Sequence, residues 1–182
     1  MAKALKTLTF ILTTLFLGAF VVYLYFPNDI WLSVCITLGV FTYHFLMRLC
    51  IGYLINGIFH NRMDYNKKWF QPRKFEKKLY AILKIRKWKK HIPTYAPDTF
   101  SLENHTFEEL AMATCQAEIV HEIIVVFSFL PLFLIIPFGE PLVFILTSVF
   151  SAGIDLVFVL LQRYNRPKLL ALIRREKARK NI

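Results

Sequence analysis

Glu118, His121 and Glu122 stand together in the stretch CQAEIVHEI, residues 115–123, where a polar segment runs into a long apolar one. On a helix Glu118 and His121 are three residues apart and share a face, and Glu122 follows four residues after Glu118. A carboxylate one turn from an imidazole is an arrangement suited to a general base, because the carboxylate fixes the tautomer and stabilises the cation formed on proton uptake. Such a base suits deprotonation of a hydroxyl that attacks an acyl group. The alternative is a helix start at a membrane interface, with Glu118 held there by the helix dipole.

Other polar side chains fall inside apolar stretches. His44, Arg48 and Asp155 are costly in hydrocarbon and are expected to face a bundle interior or a wet cavity, where with Glu118 and His121 they would build one inner-leaflet cluster. Snorkelling of Arg48 to the headgroups is the competing explanation for that residue, and a satisfied bundle histidine the one for His44. A second constellation, QRYNRPKL at 162–169, sets Arg163, Tyr164, Asn165, Arg166 and Lys168 at the headgroup level. Its planar guanidinium groups suit a clamp on a phosphate or on the cluster carboxylates, whereas a stop-transfer flank followed by an amphipathic interfacial helix would need no ligand. The third, KIRKWKK at 84–90, attracts anionic lipid at about 1 kcal/mol per basic residue, with Trp88 as an interfacial anchor. It also offers a surface for an acidic acyl carrier or the phosphates of an acyl-CoA.

These residues need elements to position them. The chain has 182 residues, 56% of them hydrophobic, and a mean hydropathy of +0.46, too apolar for an ordinary soluble domain. Four stretches approach the roughly 20 apolar residues that cross a bilayer: about 8–26, 31–54, 117–137 and 142–161. The Pro- and Gly-containing links between the first and second and between the third and fourth make two helical hairpins. The expectation is an all-α integral membrane protein of one domain, with a helical cytosolic loop over about 55–116 and a basic cytosolic tail over 162–182.

Charge orients it. Twelve of the 23 Lys and Arg lie between Arg62 and Lys90 and eight between Arg163 and Lys180, while the hairpin tips carry Asp29 and Glu140. The positive-inside rule then puts both termini and the loop in the cytosol of a multi-pass cell-membrane protein, so the net charge of +11 needs no nucleic acid to explain it. The first span lacks a convincing signal-peptide cleavage site and reads as a retained helix. Within the loop, residues 74–90 carry a loose apolar stripe, and Thr106 with Glu109 fits a capping box opening another helix. Pro167 is expected to end the fourth helix near Asn165.

Several chemistries are excluded. Val125 stands where HExxH needs its second histidine, five histidines are too few for a histidine-box di-iron site, and GxSxG, Walker and GxGxxG motifs are missing. Cys35, Cys50 and Cys115 form no CxxC pair and read as packing residues, with no metal site or disulfide framework; Cys115 is the one candidate for a covalent intermediate.

Taken in order, Ile85-Arg-Lys-Trp-Lys89, Ala117-Glu-Ile-Val-His121 and Gln162-Arg-Tyr-Asn-Arg-Pro-Lys168 resemble the blocks of the glycosyl-4,4'-diaponeurosporenoate acyltransferase family of staphylococcal carotenoid synthesis. The resemblance covers roughly 75–169, with departures at Gln116, Asp155, Val157 and Lys168. It implies transfer of a fatty acyl group from an acyl-CoA or acyl-carrier donor to a sugar hydroxyl of a glycosylated carotenoid or related glycolipid. Carried over, His121 is the base, Glu118 orients it, and Arg163 or Arg166 offsets negative charge. Tyr164, Asn165, Asp155, Arg48, His44 and Trp88 are further candidates for substrate contact. No cofactor beyond the donor is implied. The reading of a different class is a non-enzymatic membrane assembly or transport subunit whose buried charges only fix helix pairing.

Overall fold

The computed structural model describes residues 2–92, 98–101 and 103–180, and side chains there except those of Lys90 and Asp98. Two of the loop prolines, Pro93 and Pro97, and the last two residues of the tail lie outside it. Seven α-helices follow in order among the described residues: α1 Ala2–Tyr25, α2 Asp29–Phe59, α3 Glu76–Ile82, α4 Ile85–Trp88, α5 Phe107–Phe127, α6 Ile135–Phe138 and α7 Pro141–Lys180. No strand occurs among those residues. Four helical stretches are long and apolar enough to cross a membrane: Ala2–Tyr25, Asp29–Phe59, Phe107–Phe138 and Pro141–Lys180.

The chain divides into two compact units. One comprises Ala2–Tyr53 and Ile123–Asp155, the other Leu54–Glu122 and Leu156–Ile182.

The first unit is built for an apolar surround. Its helices expose Phe10, Leu15, Phe20, Leu24, Leu146 and Phe150. Hydroxyls on them are turned back onto the backbone: Thr9, Thr13, Thr37 and Thr147 each donate to the carbonyl four residues earlier, at 2.7 to 2.8 Å. That satisfies each polar group without water, a requirement wherever lipid replaces solvent. Ile36, Val40 and Phe144 form a core into which Leu32, Leu132, Ile135 and Val143 pack. Phe16 of α1 lies so close to α2 that a Cβ on Gly39 would sit 3.0 Å from its ring.

The hairpin ends follow from local chemistry. Asn28 caps α2 by accepting the Trp31 amide at 2.9 Å. Pro131 starts a 3₁₀ turn over Leu130–Leu134 that breaks the third span between α5 and α6. Gly139 and Glu140 take left-handed backbone at φ 69° and 53°, and the Ser33 hydroxyl donates to Glu140 Oε1 at 3.0 Å.

The second unit carries the loop. Thr106 and Glu109 form the expected capping box: the Thr106 amide donates to Glu109 Oε2 at 2.8 Å and the Glu109 amide to Thr106 Oγ1 at 3.2 Å. Two expectations are corrected here. Residues 74–90 do not form one helix, because Lys84 adopts left-handed backbone at φ 49° and separates α3 from α4; this turns Ile85 inward, where it is fully buried. Nor does α7 stop near Asn165. It continues through Pro167 to Lys180, because Arg166 and Ile173, on either side of the proline, are both buried, and those contacts outweigh the hydrogen bond that the proline cannot make.

Candidate active site

In the second unit the charges of α5 and α7 meet the loop. Glu118 is completely buried. Arg163 Nη1 donates to its Oε1 and Arg166 Nη2 to its Oε2, so each oxygen carries a guanidinium. Arg163 also donates through Nε to Glu76 Oε1 of α3 at 2.8 Å, and to the Trp69 and Gln71 carbonyls at 3.2 and 3.3 Å. Four of its five guanidinium N–H groups thus donate hydrogen bonds, and Nη2 also lies 2.7 Å from Glu76 Oε1. Arg166 is just as fully occupied. It donates to Thr114 Oγ1, the Thr114 carbonyl and the Phe70 carbonyl, and its guanidinium lies 4.9 Å from the Phe70 ring centre. Of the two roles open to the clamp, the carboxylate is what it holds.

Tyr80 completes the group by donating to Glu76 Oε2 at 2.9 Å. Burial, reinforced by the neighbouring Glu76 carboxylate, pushes the Tyr80 phenol well above the ordinary tyrosine range. Its ring meets that of Tyr164 edge to face, 5.3 Å between centres. Asn165 accepts from Lys89 at 3.1 Å, and Trp88 donates to the Leu83 carbonyl at 2.8 Å. The Lys89 and Lys168 ammonium groups lie 5.2 and 3.7 Å from the centre of the Tyr164 ring. Partial burial, then the charge of Lys168, lowers the pKa of Lys89.

His121, one turn beyond Glu118, is partly accessible and stacks on Phe158 of α7 with ring centres 4.7 Å apart and planes 13° from parallel. Glu122 beside it accepts from Trp69 Nε1 at 2.9 Å. Gln116 ties the end of α2 to α5: its Oε1 accepts the Asn61 amide at 2.7 Å and its Nε2 donates to Asn56 at 3.1 Å. Cys115 is fully buried.

The remaining site candidates lie in the first unit. Arg48 of α2 pairs with Asp155 of α7 at 2.5 Å and donates to the His44 carbonyl and to Ser151 Oγ, both at 2.9 Å. Arg48 therefore turns into the bundle rather than snorkelling, and pairs there with Asp155. Ser151 in turn shares a 2.9 Å hydrogen bond with Ser128. His44 is buried, and neither ring nitrogen has a hydrogen-bond partner among the described residues.

Sequence reading overlooked Glu76, Thr114 and the backbone carbonyls of 69–71. Glu76 did leave a signal, as the sole carboxylate between Asp64 and Asp98 in a strongly basic stretch. A buried counter-ion is the physical reason for a lone acid in such company. Among the described residues no group of His, Cys, Asp and Glu is placed to hold a metal ion.

Fold and site together define an all-helical integral membrane protein in which a loop and two helices share a buried arginine–carboxylate lattice. Residues 66–175 match the family model described as glycosyl-4,4'-diaponeurosporenoate acyltransferase. That is more than half of the 182 residues, and the chain belongs to this acyltransferase family of carotenoid biosynthesis. No curated protein and no solved structure matches it. The matched region begins after α2 and includes every member of the Glu118–Arg163–Arg166–Glu76 lattice together with His121.

Proposed function

We propose that the protein esterifies a sugar hydroxyl of a glycosylated carotenoid or related glycolipid with a fatty acyl group delivered as a cytosolic thioester, with His121 as general base. The observation that carries this reading is that the three sequence blocks that resemble those of the family meet in one unit. Glu118 sits sealed at the centre, and a partly accessible imidazole lies one turn away. His121 takes the hydroxyl proton as the oxygen attacks the thioester carbonyl. The C–O bond forms, the C–S bond breaks, and the proton passes to the departing thiolate. Phe158 fixes the imidazole plane. Glu118 acts as a positioning residue through α5, which the two arginines bind to α7 and to the loop. Direct transfer is favoured over a covalent intermediate because Cys115 is sealed from substrate. With the basic loop and tail on the cytosolic side, the donor arrives from the cytosol and the acceptor from the membrane.

The test is mass spectrometry of total lipid and pigment from cells that make the glycosylated precursor and express wild type, His121→Ala or no protein, at matched membrane abundance. An acyl-sized mass gain in wild type alone is expected. Equal product from the variant removes His121 as the base. If wild type leaves every lipid unchanged, a structural or transport subunit becomes the better account.

A further inference from the structure

Arg163 and Arg166 are spent on carboxylates and carbonyls, so an incoming anion must find other cations. They line the corner between α3 and α4, where Lys77, Tyr80, Lys84, Arg86, Lys87 and Tyr164 border an open pocket of about 450 Å³. Among the described residues none of Lys77, Lys84, Arg86 and Lys87 pairs with a carboxylate; the nearby Glu76 is already held by Arg163 and Tyr80. Lys89 and Lys168 add two more positive charges around the Tyr164 ring, and their mutual repulsion lowers the pKa of Lys89 beyond the effect of burial.

Lys84 carries a further signal. It holds left-handed backbone at φ 49°, a conformation strained for a side-chain-bearing residue and one that glycine adopts freely. A lysine at this turn keeps a cation on the pocket wall despite the strain.

We infer that this cavity binds the phosphate groups of a nucleotide-linked acyl thioester, the donor class of the reaction proposed above, on which this assignment rests. Its shared chemistry with a membrane phospholipid is the phosphate monoanion or dianion. What favours the soluble donor is that the cations line an open pocket with two tyrosines on its wall, where a lipid surface would need only a flat patch. The acyl chain would then enter with its thioester already anchored at the cytosolic loop.

The probe is adenosine 3',5'-bisphosphate, titrated into the full chain reconstituted in phosphatidylcholine nanodiscs. Saturable, salt-sensitive binding is expected, weakened about tenfold or more by Lys84→Gly and by Arg86→Gln with Lys87→Gln; tenfold corresponds to about 1.4 kcal/mol. Lys84→Gly relieves the backbone strain, so loss of binding in that variant cannot be ascribed to misfolding. The inference is overturned if the bisphosphate does not bind, if the variants bind it as wild type does, or if phosphatidylglycerol nanodiscs abolish its binding at moderate salt, which would assign the cavity to lipid. Binding without any acylated product would leave the cavity assigned and sink the acyl-transfer proposal. Undiminished product from the charge variants would do the reverse.

Discussion

Glu118 and Arg166 form an ion pair from which water is excluded, with side chains 0% and 1% exposed. A buried charge is tolerated only while its partner stays, and deleting one member costs about 3 to 5 kcal/mol. Glu118→Leu strands Arg166, whose remaining contacts are all neutral. We expect it to lower thermal stability in detergent and abundance in the membrane by an amount in that range. Glu118→Leu combined with Arg166→Leu should recover part of the loss, since one uncompensated charge fewer is left in the interior. Unfolding followed by retention on a sizing column would measure both, and equal stability of the single and double variants would contradict the account.

Tyr80 donates to Glu76, and burial together with that carboxylate disfavours its phenolate. Raising pH through the ordinary tyrosine range, near about pH 10, should therefore ionise exposed tyrosines while Tyr80 remains a neutral donor. The direction is upward because both causes penalise the negative form. Tyr80→Phe should leave the ultraviolet phenolate signal in that range unchanged and cost roughly 1 kcal/mol of stability for the lost hydrogen bond. A fall in phenolate amplitude there would show that Tyr80 titrates normally.

Much of the scaffold was legible because its causes are local. Long apolar runs, Pro and Gly at the links and the Thr106–Glu109 spacing each act over a few residues, and the hairpins and the cap are as those signals imply. The lattice was less legible. Arg163 and Glu76 are 87 positions apart, and Glu76 sits among lysines in a stretch whose legible feature is its apolar stripe. Pro167 shows the same limit from the other side. Its local rule predicts a helix end, yet the burial of Arg166 and Ile173 overrides it. Which way Arg48 points depends on helix rotation, a quantity the apolar pattern of a four-helix chain leaves open.

Arg48 and Asp155, joined across α2 and α7, make a second test of buried pairing in a unit that faces lipid. Arg48 also donates to Ser151 and to the His44 carbonyl, so Arg48→Met removes several bonds at once. Asp155 deprived of the Arg48 charge is costly in hydrocarbon. Arg48→Met should thus reduce membrane abundance several-fold, and Arg48→Met with Asp155→Leu should restore a good part of it. Quantitative blotting of membrane fractions reads the outcome; a double variant no better than Arg48→Met would mean that Asp155 has other work to do.

Cys115 separates the two chemical routes to an ester. A covalent acyl-enzyme needs a thiol that the donor can reach, whereas direct transfer needs only a base beside the acceptor hydroxyl. Cys115 has no exposed surface, and it packs in the same turn as Thr114, which accepts from Arg166. Cys115→Ala removes one sulfur atom from a packed interior and should cost about 1 kcal/mol through the small cavity it leaves. Product should persist at near the wild-type yield once protein amounts are matched. His121→Ala, in the same assay, should abolish it. Loss of product in Cys115→Ala at normal abundance, accompanied by an acylated Cys115 in wild-type protein, would replace direct transfer with a two-step mechanism.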